Sequence, residues 1–117
     1  MAFLGNSHFG LEDVAVMRSI PNITIISPAD CAEIFKVVNA TANFKGPVYI
    51  RLTGGVNNPI VNTKDYEYEI GKSITLKNGD DVSIIATGSM VAKAIDAADI
   101  LSKKGISAEI INMLSLI

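Results

Sequence analysis

Apolar positions along the chain follow two patterns in turn, one of helical spacing and one of continuous β-branched runs, and each switch marks an element boundary. From Leu11 to about Ser19, Leu11, Val14, Ala15 and Met17 or Arg18 recur at roughly helical spacing, with Glu12 and Asp13 in the first turn and Pro21 beyond the end. Acids at a helix start and proline past its end suit both positions. Ile23-Thr24-Ile25-Ile26 is β-branched throughout and bracketed by Pro21-Asn22 and Ser27-Pro28, which predicts a buried strand. Ser27-Pro28-Ala29-Asp30 predicts a helix start, with Ser27 as the capping hydroxyl and Pro28 at the first helical position. That helix would place Cys31, Ile34, Phe35, Val38 and Ala42 on its buried face until Gly46-Pro47 stops it. Val48 to Leu52 predicts a second strand, and strand, helix and strand in about 30 residues make a βαβ unit with parallel pairing.

Beyond it, Thr53-Gly54-Gly55-Val56-Asn57-Asn58-Pro59 and the polar run Asn62 to Glu69 predict a linker between two lobes. Ile70 to Lys77 predicts a short strand, ended by Asn78-Gly79, a turn dipeptide suited to left-handed conformations. Asp81 to Gly88 predicts a buried strand, and from Ser89, as cap, a helix shows Val91, Ala94, Ile95, Ala98 and Leu101 on one face with Gly105 as its stop. Ser107 to Leu114 then completes a second βαβ unit. The predicted fold class is α/β, two βαβ units with parallel strands forming pieces of a three-layer αβα architecture. The expected division is residues 1–55, a linker at 56–69, and residues 70–117.

Composition narrows the function classes. With 49% hydrophobic and 19% charged residues the chain has enough apolar surface to fold, which excludes disorder. Few aromatics (6%), no Trp and a net charge of −2 exclude a base-stacking or phosphate-tracking nucleic-acid surface. The single Cys31 forms no internal disulfide, so a reduced, cytoplasmic setting is expected. No apolar run approaches the ~20 residues of a membrane span, and no secretory signal opens the chain. Both ends are apolar, Met1 to Gly5 and Leu114 to Ile117, which leads to the expectation of a piece cut from something longer.

Few residues offer chemistry. His8, the only histidine, lies in the small-residue loop Gly5 to Gly10; position alone favours a surface or core-edge imidazole over a proton carrier. Asp30 and Glu33 read better as a helix-start acid and a solvated acid than as a catalytic pair. Cys31, on the apolar face, reads as an inert buried thiol. Thr87-Gly88-Ser89 enters a helix N-terminus but lacks the lysine of a P-loop and the spaced glycines of a dinucleotide site, so capping by Ser89 is the simpler account. Arg51, in a parallel strand, would face either a ligand or a neighbouring acid. One His and one Cys assemble no metal cluster and no nucleophile–base pair.

Three strings in the first half, Leu11 to Asn22, Ile25 to Asp30 and Gly46 to Arg51, resemble the second half of the pyrimidine-binding domain of the transketolase family. Ile70-Gly71-Lys72, Gly79 to Val91 and Gly105 to Met113 resemble the start of that family's C-terminal domain, in the family's order. The resemblance implies an enzyme that uses thiamine diphosphate and Mg2+ to move a two-carbon ketol unit between sugar or sugar phosphate substrates. It implies a homodimer or heterotetramer whose diphosphate-binding domain or subunit is missing here, along with the family's cofactor-activating glutamate and stacking aromatic. The chain alone is therefore expected to be inactive and to bind neither cofactor nor metal.

Gly5-Asn6-Ser7-His8 resembles the family's Gly-Pro-Thr/Ser-His segment, with Asn for Pro, which implies that His8 contacts substrate. Two positions depart from the family pattern: Leu4 replaces an acid that meets a sugar hydroxyl, and Gly54 replaces a phosphate-binding arginine. Arg51 would substitute as a substrate-binding residue, as an arginine stands near this place in deoxyxylulose phosphate synthases. Those synthases and 2-oxo acid dehydrogenase β subunits are the neighbouring alternatives, and a non-catalytic α/β dimerisation module is the alternative of a different class.

Overall fold

In the computed structural model, which describes residues 10–53 and 58–116, nine elements follow one another. They are α1 (Asp13–Met17), β1 (Thr24–Ile26), α2 (Cys31–Thr41), β2 (Val48–Ile50), β3 (Ile74–Lys77), β4 (Val82–Ala86), α3 (Met90–Ser102), β5 (Ala108–Asn112) and β6 (Ser115–Leu116). Both βαβ units are present: β1 and β2 pair in parallel on either side of α2, and β4 and β5 on either side of α3. Each sheet also takes one antiparallel strand, β6 against β1 and β3 against β5, so the orders are β2-β1-β6 and β3-β5-β4. The α/β class stands, with mixed sheets in place of purely parallel ones.

The second unit follows its apolar pattern closely. Ala94 and Ala98 of α3 pack on Ala108 and Ile110 of β5, with Leu76, Ile84, Ile95 and Leu101 around them. The alanines bring the helix close to the sheet, and Ala108, Ile110 and Asn112 alternate inward along β5. Gly79 is required for a reason other than the expected left-handed turn. A Cβ there would collide with the backbone of Ala108 and Glu109, so close approach to β5 selects the glycine.

The first unit departs from its pattern at both helices. α1 ends at Met17 and buries no residue; Leu11 and Val16 are exposed. α2 starts three residues later than the Ser27 cap implies: Asp30 is the N-cap, its Oδ1 accepting from the Glu33 N–H at 2.9 Å. Its buried side carries Glu33 and Val37, while Phe35 is 75% exposed and Val38 and Cys31 are also exposed. The predicted apolar stripe and the predicted buried thiol are thus corrected. Periodicity identifies an apolar face but not its partner, and here a polar side chain that finds hydrogen bonds holds the interior. Ser89 likewise makes no capping side-chain bond to α3, because its own backbone is already helical rather than extended.

The two sheets meet where β1 and β4 end. Ser27 N–H donates to Leu114 O at 2.8 Å, Gly88 N–H to Ser27 O at 3.2 Å, and Met113 N–H to Ala86 O at 2.8 Å. Gly88 has φ +57°, and a Cβ on it would lie 2.6 Å from Ser27 Oγ. Between the sheets, residues 58–69 carry no helix or strand and lie along α2. Lys36 Nζ holds that segment at 2.7 Å from both Asp65 Oδ1 and Tyr66 O, and Val61 N–H donates to Asp30 Oδ2 at 2.8 Å.

Candidate functional site

Parallel pairing carries the carboxyl ends of β1 and β2 to the same edge of the first sheet, where open α/β sheets bind ligands. Ser27 to Asp30 leads from β1 into α2, and Arg51 to Thr53 continues β2. Between them lies a pocket of about 150 Å³ lined by Pro28, Ala29, Asp30, Cys31, Ile34, Leu52, Thr53 and Asn58. Its one carboxylate, Asp30, is occupied by the Glu33 and Val61 amides.

Arg51 meets an acid, the second of its two expected environments. Its Nε donates to Asp13 Oδ2 at 2.7 Å, and the same oxygen accepts from Tyr49 Oη–H at 3.0 Å. The Arg51 bond, helped by its charge, holds the Asp13 carboxyl below the usual carboxylate range against the opposing effect of burial. The same hydrogen bond to Asp13, with burial, pushes the Tyr49 phenol up. Asp13 Oδ1 is buried with no partner among the described residues. The cluster ties the start of α1 to β2.

Glu33 is the larger surprise, since a solvated acid was expected and its residue is only 1% exposed. Its Oε2 accepts from Ala29 N–H at 2.7 Å and its Oε1 from Asn112 Nδ2–H at 2.6 Å, a bond that reaches from α2 to the end of β5. Burial raises its pKa and the Asp30 charge adds to that, against the opposing hydrogen bonds. Tyr66, pushed up chiefly by burial and then by the Glu33 charge, lies beside it. Neither the Tyr66 hydroxyl nor Asn112 Oδ1 has a partner among the described residues.

His8, Leu4 and Gly54 lie outside the described residues, and Arg51 and Asp13 are brought together. Asp13, Tyr49, Tyr66 and Asn112 were missed by sequence reasoning. A signal existed for Tyr49, which alternates with Arg51 on a strand, so their side chains share a face. Asn112 carried a weaker one, a polar residue ending an apolar strand.

Residues 1–56 match the family model described as transketolase, pyrimidine binding domain, and residues 71–116 the model described as transketolase, C-terminal domain. A "transketolase C-terminal section" of Methanocaldococcus jannaschii is 42% identical over 113 residues, 96% of this chain and 36% of that protein. A 6-deoxy-6-sulfo-D-fructose transketolase subunit of a Clostridium species is 40% identical over 111 residues, 93% of this chain and 34% of that protein. A 1-deoxy-D-xylulose-5-phosphate synthase of Parasynechococcus marenigrum is 38% identical over 110 residues, 92% of this chain and 17% of that protein. Among solved structures, a split-gene transketolase, described as an inactive β4 tetramer, superposes with a TM-score of 0.89 at 44% identity. The match covers 96% of this chain and 37% of that one. The chain thus spans about a third of the length of the split-transketolase relatives it matches.

Proposed function

Because the chain belongs to the transketolase family of thiamine-diphosphate enzymes, we propose that it forms part of an enzyme transferring a two-carbon ketol unit between sugar or sugar phosphate substrates. The observation that carries this reading is the superposition of both lobes, in one order, on a split-gene transketolase at a TM-score of 0.89. Within it, residues 1–55 serve as the back of the pyrimidine-binding domain, 56–69 as the linker and 70–117 as the front of the C-terminal domain.

We assign the family's cofactor to a part of the enzyme beyond the described residues. Among them no group of three His, Cys, Asp or Glu is placed to hold a metal ion. Among the described residues, the wall of the pocket at the ends of β1 and β2 has no cation and no aromatic ring. On this reading thiamine diphosphate and Mg2+ are held by a diphosphate-binding domain or subunit, in a homodimer or heterotetramer. This chain contributes groups that meet the sugar. His8 contacts the substrate, where a neutral imidazole donates to or accepts from a hydroxyl or carbonyl oxygen near neutral pH. Arg51 commits Nε to Asp13 and keeps the other edge of its guanidinium for a substrate phosphate oxygen.

A second reading, deoxyxylulose phosphate synthesis, is favoured by the matched synthase and by Arg51. The whole protein, assembled with its diphosphate-binding part, separates the two. Ketol transfer from a ketose phosphate to an aldose without release of carbon dioxide supports the main reading. Decarboxylation of pyruvate without ketol transfer replaces it with the second.

A further inference from the structure

Among the described residues, the seam between the lobes holds two buried carboxyls, Asp30 and Glu33, and the proposed chemistry uses neither. Glu33 joins three parts of the chain: its own helix start through Ala29 N–H, the end of β5 through Asn112 Nδ2, and the connecting segment through Tyr66, which lies beside it. The residue is 1% exposed and Asn112 is fully buried. The adjoining bonds cross the same seam: Ser27 to Leu114, Gly88 to Ser27, Asp30 to Val61, and Tyr68 Oη with Ser115 Oγ at 3.2 Å.

We propose that Glu33 is a proton-operated latch between the lobes, closing the seam in its protonated form and loosening it when ionised.

The charges around the carboxyl explain the direction. On its own helix the nearest is Asp30, also buried, whose negative charge opposes ionisation. From the connecting segment come Tyr66 and Tyr68, both phenols whose pKa is raised and which remain neutral hydroxyls. From β5 comes only the amide of Asn112. Lys36, the nearest cation described on α2, is engaged by Asp65 and the Tyr66 carbonyl. No cation among the described residues hydrogen-bonds or forms an ion pair with Glu33, so burial of its negative charge is offset only by neutral donors. A protonated carboxyl removes that charge while one of its oxygens still accepts a hydrogen bond. The latch bears on the pocket as well, since Ala29 and Asp30 line it.

The test is the carboxyl-carbon NMR titration of Glu33 in the 117-residue chain, read beside amide-exchange protection of the β1–β6 pair and the Ser27 amide. A midpoint above the ordinary glutamate value of 4.5 is expected. Protection at the seam should fall across the interval between the two midpoints, approaching tenfold per pH unit for one linked proton. In Glu33→Gln, which keeps shape and an acceptor oxygen, that pH dependence should disappear. A midpoint at or below 4.5, a seam whose protection ignores the titration, or an unchanged pH profile in Glu33→Gln would each overturn the latch. The titration in the unaltered chain decides the first two without any variant.

Discussion

Asp13 shows how much one carboxylate does when its surroundings are polar but shielded. It holds Arg51 and Tyr49 through a single oxygen, and its folded-state pKa lies below 3.8. A depressed carboxylate stabilises the fold above its unfolded pKa and ceases to do so as pH falls through its folded one. Asp13→Asn should therefore cost about 1 to 2 kcal/mol at neutral pH, and the difference from the parent should vanish in acid. Urea unfolding at the two pH values measures it; a difference that persists in acid would assign the effect to packing. Glu33 has the opposite sign, because its nearest charge is Asp30 and burial dominates. Neither role was legible in the sequence. Arg51 announced only that it would face a ligand or an acid, and nothing in the spacing of residues 13 and 51 selects one. His8 remains the residue whose meaning rests most on resemblance.

At the scale of elements, legibility tracked how far each helix is covered by its own sheet. α3 packs on β4 and β5, and its five expected face residues are buried or partly buried. α2 carries a comparable stripe, yet Phe35 and Val38 face outward while Glu33 and Val37 are covered. An apolar stripe reports that a helix has a partner, whichever chain or segment supplies it. The cap assignment at α2 failed for a local reason, since Ser27 and Asp30 both stand near the helix start and compete for one role. Asp30 won at α2, and at α3 Ser89 makes no capping bond. Asp30→Ala should thus cost about 0.5 to 2 kcal/mol, more if Val61 is also released, while Ser89→Ala should stay within about 0.5 kcal/mol. Thermal or urea unfolding of the two variants side by side would show equal losses if the capping assignment were mistaken.

For the whole molecule, the two βαβ units were readable because local patterns encode them. Their attachment was not. β6 leaves the second unit to pair with β1 of the first, and hydrogen-bonding edges leave no trace in periodicity. Gly88 and Ser27, 61 positions apart in sequence, touch closely enough that a Cβ on Gly88 would force the Ser27 hydroxyl to move. Gly88→Ala combines a left-handed backbone with that contact and should destabilise the chain by about 1 to 3 kcal/mol. Its earliest sign should be lost amide protection at Ser27 and β6, ahead of the α3–β5 core. Uniform loss everywhere would mean that the lobes do not open separately.

On the proposed reading, this chain supplies groups for the sugar and depends for activity on a second part that holds the cofactor. Two-carbon transfer from a ketose phosphate to an aldose, with thiamine diphosphate and Mg2+ present, tests this most directly when measured for the 117-residue chain alone and for the whole protein assembled with its diphosphate-binding part. The account predicts turnover in the assembly and none from the chain alone. Saturable turnover by the chain alone, or an assembly that binds cofactor and transfers no ketol unit, would contradict it.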